Sequence, residues 1–161
     1  MDYQVNINYQ FSAASEGEAR QRAEQYIADN LTVKPVVDNL LLSPLQVWEQ
    51  SSSFRAKKKE HFCVFFLNTQ NQIVGREIVS IGTLNASLIH PRETFRTAII
   101  KNCSAVIVAH NHPSGGLEPS AEDLHVTKRL VDAGCLLGIE VLDHVIVTAQ
   151  SHASFKERGL I

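Results

Sequence analysis

The chain has 161 residues, 44% of them apolar and 20% charged, enough to bury one real core. Eight glycines and five prolines exclude collagen-like and low-complexity chains. Fifteen basic against seventeen acidic side chains leave a net charge of −2, with no global excess to draw nucleic acid or an anionic membrane. Cys63, Cys103 and Cys135 are widely spaced within apolar stretches and make neither a CxxC pair nor a disulfide ladder. Buried free thiols in a reducing cytoplasm are expected. The opening MDYQVNINYQ lacks the basic start and apolar run of a signal peptide. No apolar run is long enough to span a bilayer.

Ser15 to Asn30 is polar and rich in helix formers, with Ser15 and Glu18 spaced as a capping box. Its thin apolar stripe of Ala19, Ala23, Tyr26 and Ile27 predicts an amphipathic helix that docks on the domain or a partner, ended by Lys34-Pro35. Ser43-Pro44 opens a second helix through Leu45, Val47 and Trp48. The stretch SSSFRAKKK reads as a solvated connection, and Lys57–Lys59 as a solvated basic run.

His61–Leu67 is a dense apolar run that suits a buried strand, and Ile73–Ile81 reads as the returning arm of a hairpin. A third strand is expected over Asn85–His90. Pro91 then opens a helix with Glu93 in its first turn, where the helix dipole favours an acid. Ala105–Ala109 is a continuous apolar run, hence a central strand covered on both faces. Ser120–Leu137 is the clearest helix, with Leu124 and Val131, and Leu130 and Leu137, seven apart on neighbouring apolar faces and Gly138 as its stop. Ile139–Thr148 is a further strand. Strands alternating with helices on a mixed sheet make the fold α/β or α+β.

His110-Asn111-His112-Pro113 stands where the central strand ends. In extended chain, side chains two apart point the same way, and Pro113 holds His112 extended. Two imidazoles can thus meet at one point, at the strand end where open sheets place ligands. Asp123 follows behind a loop with Gly115 and Gly116, in the first turn of the next helix. Two imidazoles, a carboxylate and an open position describe a catalytic zinc site. Each piece also has a plainer use: two hydrogen-bonded surface histidines, and an ordinary cap in which Ser120 and Asp123 bond each other.

The whole of HNHPSGGLEPSAED is more specific than its pieces. It resembles the JAMM motif of the JAB/MPN metalloprotease superfamily, H-x-H-P, six residues, then S-x-x-D. With GTLNASLIHPRE upstream and LLGIEVLDHVIV downstream, residues 45–161 resemble the RadC-like family within it. The resemblance implies a mixed central sheet flanked by helices in the JAB/MPN, cytidine-deaminase-like architecture. It implies one zinc ion per chain on His110, His112 and Asp123. It also implies that Ser120 supports the oxyanion and that a Glu at the start of an early strand is the general base. Glu60 holds that position here. By composition alone Glu60 is the solvated end of a charged run, and Glu77 and Glu93 compete with it.

RadC-like proteins commonly carry a helix-hairpin-helix-like region ahead of this domain, and no hGhG hairpin is seen here. Residues 1–42 are read as an N-terminal helical extension and 43–161 as the RadC-like domain. The implied activity is zinc-dependent hydrolysis of a peptide or isopeptide. The alternative is a non-catalytic module that binds a protein or a DNA-processing partner. A non-haem iron site uses the same ligand types in a different setting. A nucleobase deaminase needs H-x-E and P-C-x-x-C, which do not occur. His144 is read as a satisfied structural histidine, with support of a ligand as its alternative.

Overall fold

The computed structural model describes residues 15–30, 40–41, 43–82 and 89–161. The chain divides into two units, residues 1–38 and 39–161. The first carries α1 (Glu16–Asn30). Ser15 Oγ accepts the Glu18 N–H at 3.2 Å. Exposed pairs one turn apart follow, Glu18 with Arg22 at 2.7 Å and Arg20 with Glu24 at 3.0 Å. Such pairs add only a few tenths of a kcal/mol each. The expected stop at Lys34-Pro35 lies outside the described residues, as do most side chains of the apolar stripe.

In the second unit, five strands form one sheet in the order β2-β1-β3-β4-β5. They are β1 (His61–Leu67), β2 (Ile73–Ile81), β3 (Ala105–Asn111), β4 (Glu140–Val147) and β5 (His152–Ser154). β1 lies antiparallel to β2 and β3, β3 runs parallel to β4, and β4 is antiparallel to β5. With α2 (Pro44–Gln50), α3 (Pro91–Ile100) and α4 (Ala121–Leu137), this is the expected α+β fold with a mixed sheet. β5 is an addition: three residues are too few to show a period.

Alternation along the strands sorts side chains to two faces. Phe62, Val64 and Phe66 of β1 share a core with Val106 and Val108 of β3, Phe95 and Ala98 of α3, and Val126 and Leu130 of α4. Cys63, Phe65 and Leu67 join Ala105, Ile107 and Ala109 on the other face, against Val47 of α2 and Phe54. Covering on both faces is why β1 and β3 read as unbroken apolar runs. Each fully buried Phe stabilises the fold by roughly 1.5–3 kcal/mol.

Three expectations change. The SSSFRAKKK stretch is not wholly solvated: Phe54 is core, and buried Ser51 donates from Oγ to the Val47 carbonyl at 2.7 Å. Ser52, Ser53 and the run from Ala56 to Lys59 are exposed, as expected. The apolar side of α4 is misplaced, since Leu124 and Leu137 are exposed while Asp123, Val126, Thr127, Leu130 and Gly134 face inward. A polar Asp and Thr within the inward stripe hid the true period. Cys63 and Cys103 are buried free thiols, but Cys135 is exposed on α4. The strand expected over Asn85–His90 falls mainly outside the described residues. His90 itself is extended and caps α3, its Nδ1 accepting the Arg92 N–H at 3.2 Å. Among the described residues no helix is long and apolar enough to cross a membrane.

Candidate metal centre

β3 brings His110 and Asn111, both fully buried, to its carboxyl end. His110 continues the Val106 and Val108 row toward α4, and Asn111 turns to the opposite face. The His112 N–H donates to the Val147 carbonyl at 3.1 Å, which carries the β3–β4 pairing one residue further. The chain then reverses through Gly115, whose φ of +81° is open to glycine at little cost. That reversal brings the Gly116 carbonyl to 2.8 Å from His112 Nδ1.

α4 supplies the carboxylate. Ser120 caps the helix by accepting the Asp123 N–H at 3.1 Å. Ser120 N–H and Oγ in turn donate to Asp123 Oδ2 at 2.8 and 2.7 Å. The cap thus also aims the carboxylate at the strand end. His110 Nε2 lies 3.2 Å from Asp123 Oδ1, and His112 Nε2 lies 3.6 Å from Oδ2. The two Nε2 atoms are 2.9 Å apart. All three ligand atoms fall within 4.8 Å of one another, and this group can hold a metal ion.

Protons in the surrounding network are assigned by elimination. The Thr127 hydroxyl is 2.6 Å from the Asp123 main-chain carbonyl, which only accepts, so Thr127 spends its proton there. Its oxygen therefore accepts from His144 Nδ1–H, also at 2.6 Å. That leaves His144 Nε2 unprotonated to accept His110 Nδ1–H at 2.7 Å. His112 Nδ1–H donates to the Gly116 carbonyl. Both Nε2 atoms thus turn lone pairs toward Asp123. The buried Asp123 Oδ1 meanwhile has no hydrogen-bond partner.

Three lone-pair donors facing one point need a positive charge there, either a proton or a cation. Burial lowers the His110 ring below its ordinary pKa, against the pull of Asp123. Asp123, ahead of the burial cost, holds the His112 ring above its ordinary value. Burial pushes the Asp123 carboxyl up, but the adjoining His110 and His112 rings and the bonds from Ser120 outweigh this and hold it far below the usual range. His144, fully buried and beside His110, is held well below the histidine range. A neutral His144 is what the relay requires.

Glu60 lies just before β1, half-buried, with its carbonyl accepting the Gly82 N–H at 2.9 Å. With Lys58, Lys59, Gly82 and Pro113 it lines a cleft of about 370 Å³. The two competing carboxylates are engaged elsewhere. Glu77 accepts from Thr97 Oγ1 at 2.7 Å, and Glu93 pairs with Arg92 at 3.1 Å. His144 stands behind His110, a member of the group that could hold an ion. Thr127 and Asn111 escaped the sequence reading. Their partners lie 17 and 50 or more residues away in sequence, and no local pattern marks them.

A three-layer α+β domain with a two-histidine, one-carboxylate group at the end of its central strand is the architecture of a JAB/MPN-like protein. The match is to the RadC-like JAB domain over residues 41–160, and the chain belongs to that family. Among its relatives is a UPF0758 protein of Symbiobacterium thermophilum, 57% identical over 102 residues, covering 63% of this chain and 44% of the relative. Another, from Methanosarcina acetivorans, is 50% identical over 107 residues, 66% of this chain and 47% of the relative. A third, from Desulfitobacterium hafniense, is 43% identical over 143 residues, 89% of this chain and 62% of the relative. The chain spans about half the length of the curated relatives it matches, and their names state no activity.

Proposed function

We propose that this domain is a zinc-dependent hydrolase of peptide or isopeptide bonds, with His110, His112 and Asp123 as the ligands of one ion per chain. The convergence of three lone-pair donors, each oriented by a second partner, carries the reading. The donor set fits zinc, which takes imidazole and carboxylate and in catalytic sites keeps an open position. When bound, zinc supplies the Lewis acidity that makes water nucleophilic near pH 7 and polarises a scissile carbonyl.

The remaining work falls to the chain. Glu60, on the cleft, takes a proton from the attacking water and returns it to the leaving amine. Ser120 donates to the developing oxyanion. Its hydroxyl can turn outward because its N–H still holds Asp123 Oδ2. The enclosed His110–His144–Thr127 relay keeps the ligand tautomer fixed while substrate enters from the side of Lys58 and Lys59.

The test is digestion of a mixed peptide and isopeptide library by zinc-loaded protein, read by mass spectrometry. Cleavage that disappears in Glu60→Gln, with zinc still bound, supports the reading. Zinc bound by the native chain with no amide cleaved would favour the non-catalytic binding module.

A further inference from the structure

We infer that Asn111, the residue between the two histidine ligands, is a positioning residue that holds Glu60 at the candidate centre by clamping the segment that carries it. This role depends on Glu60 acting as the base proposed above. Asn111 is fully buried and, by strand alternation, points away from the face that His110 and His112 share. Its amide is engaged at three points. Oδ1 accepts the His61 N–H at 2.7 Å. Nδ2 donates to the Lys57 carbonyl at 3.0 Å and to the Lys59 carbonyl at 3.2 Å.

Those three backbone groups bracket Glu60. The regular β1–β3 register ends at the pair Phe62 and His110. Beyond it no residue of β3 pairs with the Lys57–His61 segment, although His61 still pairs with Ile81 of β2, and main-chain groups on the β3 side need other partners. The Asn111 side chain supplies them and extends the pairing by one side chain. The count suits asparagine, which offers one acceptor and two donors. Aspartate lacks the donors, and serine reaches too few groups.

The rest of the segment is tied as well. His61 Nδ1 bonds the Lys59 carbonyl at 2.8 Å, and the Glu60 carbonyl takes the Gly82 N–H at 2.9 Å. With its own carbonyl and both neighbours held, Glu60 keeps chiefly its side-chain torsions. It also shares the wall of one cleft with Pro113, the residue that follows His112. One strand end therefore presents the ligands on one face and anchors the base from the other.

The test reads position and needs no substrate. The full chain, labelled with ¹³C at its glutamate carboxyl groups, is loaded with Co²⁺, and the Glu60 resonance is assigned by its loss in Glu60→Gln. In the native chain that resonance should be strongly displaced by the paramagnetic ion. In Asn111→Leu, Co²⁺ affinity should stay within about threefold of native, because no ligand or ligand partner is touched. The Glu60 displacement should fall by about half or more, since the segment is released. If Asn111→Leu does not fold, His61→Pro removes one clamp bond from the other side, at a strand start where proline is tolerated.

A native-size Glu60 displacement in the folded variant overturns the role of Asn111 and leaves that of Glu60 standing. No displacement in the native chain overturns both. A loss of Co²⁺ affinity beyond about tenfold places Asn111 with the ligands and overturns the assignment to Glu60.

Discussion

The two walls of the candidate centre are built differently. One wall, His110, His144, Thr127 and the main chain of Asp123, is almost wholly enclosed, and each of its hydrogen-bonding roles is settled by the next. The other, Lys58 to Glu60 with Gly82 and Pro113, borders an open cleft, and its backbone is tied while its side chains are half-buried or exposed. Enclosure raises the strength of each electrostatic contact and removes the freedom to re-aim a ligand. Openness admits substrate and lets a carboxylate move through a proton transfer. Under the proposed function, the division assigns ion affinity to the first wall and turnover to the second.

The largest break in that division should come from the ligands. His110→Ala or Asp123→Ala should abolish stoichiometric zinc, read by elemental analysis after dialysis. The fold should persist, because the β1–β3 and β3–β4 pairings do not depend on these side chains. Full zinc occupancy in the His110→Ala, His112→Ala double variant would remove the assignment.

Next come the residues behind them. His144→Phe keeps a ring among Phe62 and Phe155 but cannot accept from His110. Its zinc affinity should fall by about 10–100-fold, the usual effect of losing an outer partner. Thr127→Val should weaken binding by about tenfold, since His144 stays but its tautomer is no longer imposed. Competition with a chromophoric chelator measures both. Native affinity in both variants would mean that the enclosed wall is packing alone.

Glu60→Gln should act in the opposite sense. Zinc affinity should stay within a few-fold, while any amide hydrolysis falls by about 100-fold or more. If affinity falls and turnover does not, the roles of the two walls are reversed.

The enclosed wall was also the part least legible in the sequence. Strands β1 and β3 announce themselves as apolar runs, and α4 by its cap and its closing Gly138. The meeting of His110, His112 and Asp123 was legible because one extended dipeptide step and one helical cap create it locally. His144 meets His110 only through parallel pairing of β3 with β4, 34 residues apart. Asn111 meets Lys57 across 54 residues and looks like a spacer between histidines. Phe54 was lost to its polar neighbours, and its burial is set by the sheet face above it rather than by its own stretch. Local patterns carry elements and local motifs, while contacts made by strand register do not appear until the sheet is assembled.

The smallest effect uses the cysteines, where the same contrast between enclosed and open holds away from the centre. Cys63 sits in β1 with no exposure, and burial lifts its thiol to about 12 against the partial pull of Arg76. Burial also raises Cys103, with Lys101 pulling the other way. Cys135 is exposed near the end of α4. The thiolate is the reactive form, and at pH 8 a thiol near 12 is ionised only to about one part in ten thousand. Iodoacetamide at pH 8 should therefore label Cys135 first and leave Cys63 intact in the native chain, with all three labelled after unfolding. Peptide mass spectrometry gives the order. A thiol whose folded pKa lies above its unfolded value keeps its proton longer when folded, so the Cys63 contribution to stability is whole below pH 9 and is lost as pH rises from 9 toward 12. Zinc occupancy should be unchanged once Cys135 is alkylated, because the proposed ligand group is His110, His112 and Asp123. Loss of zinc on labelling Cys135 alone would bring a thiol into the centre and undo the ligand set.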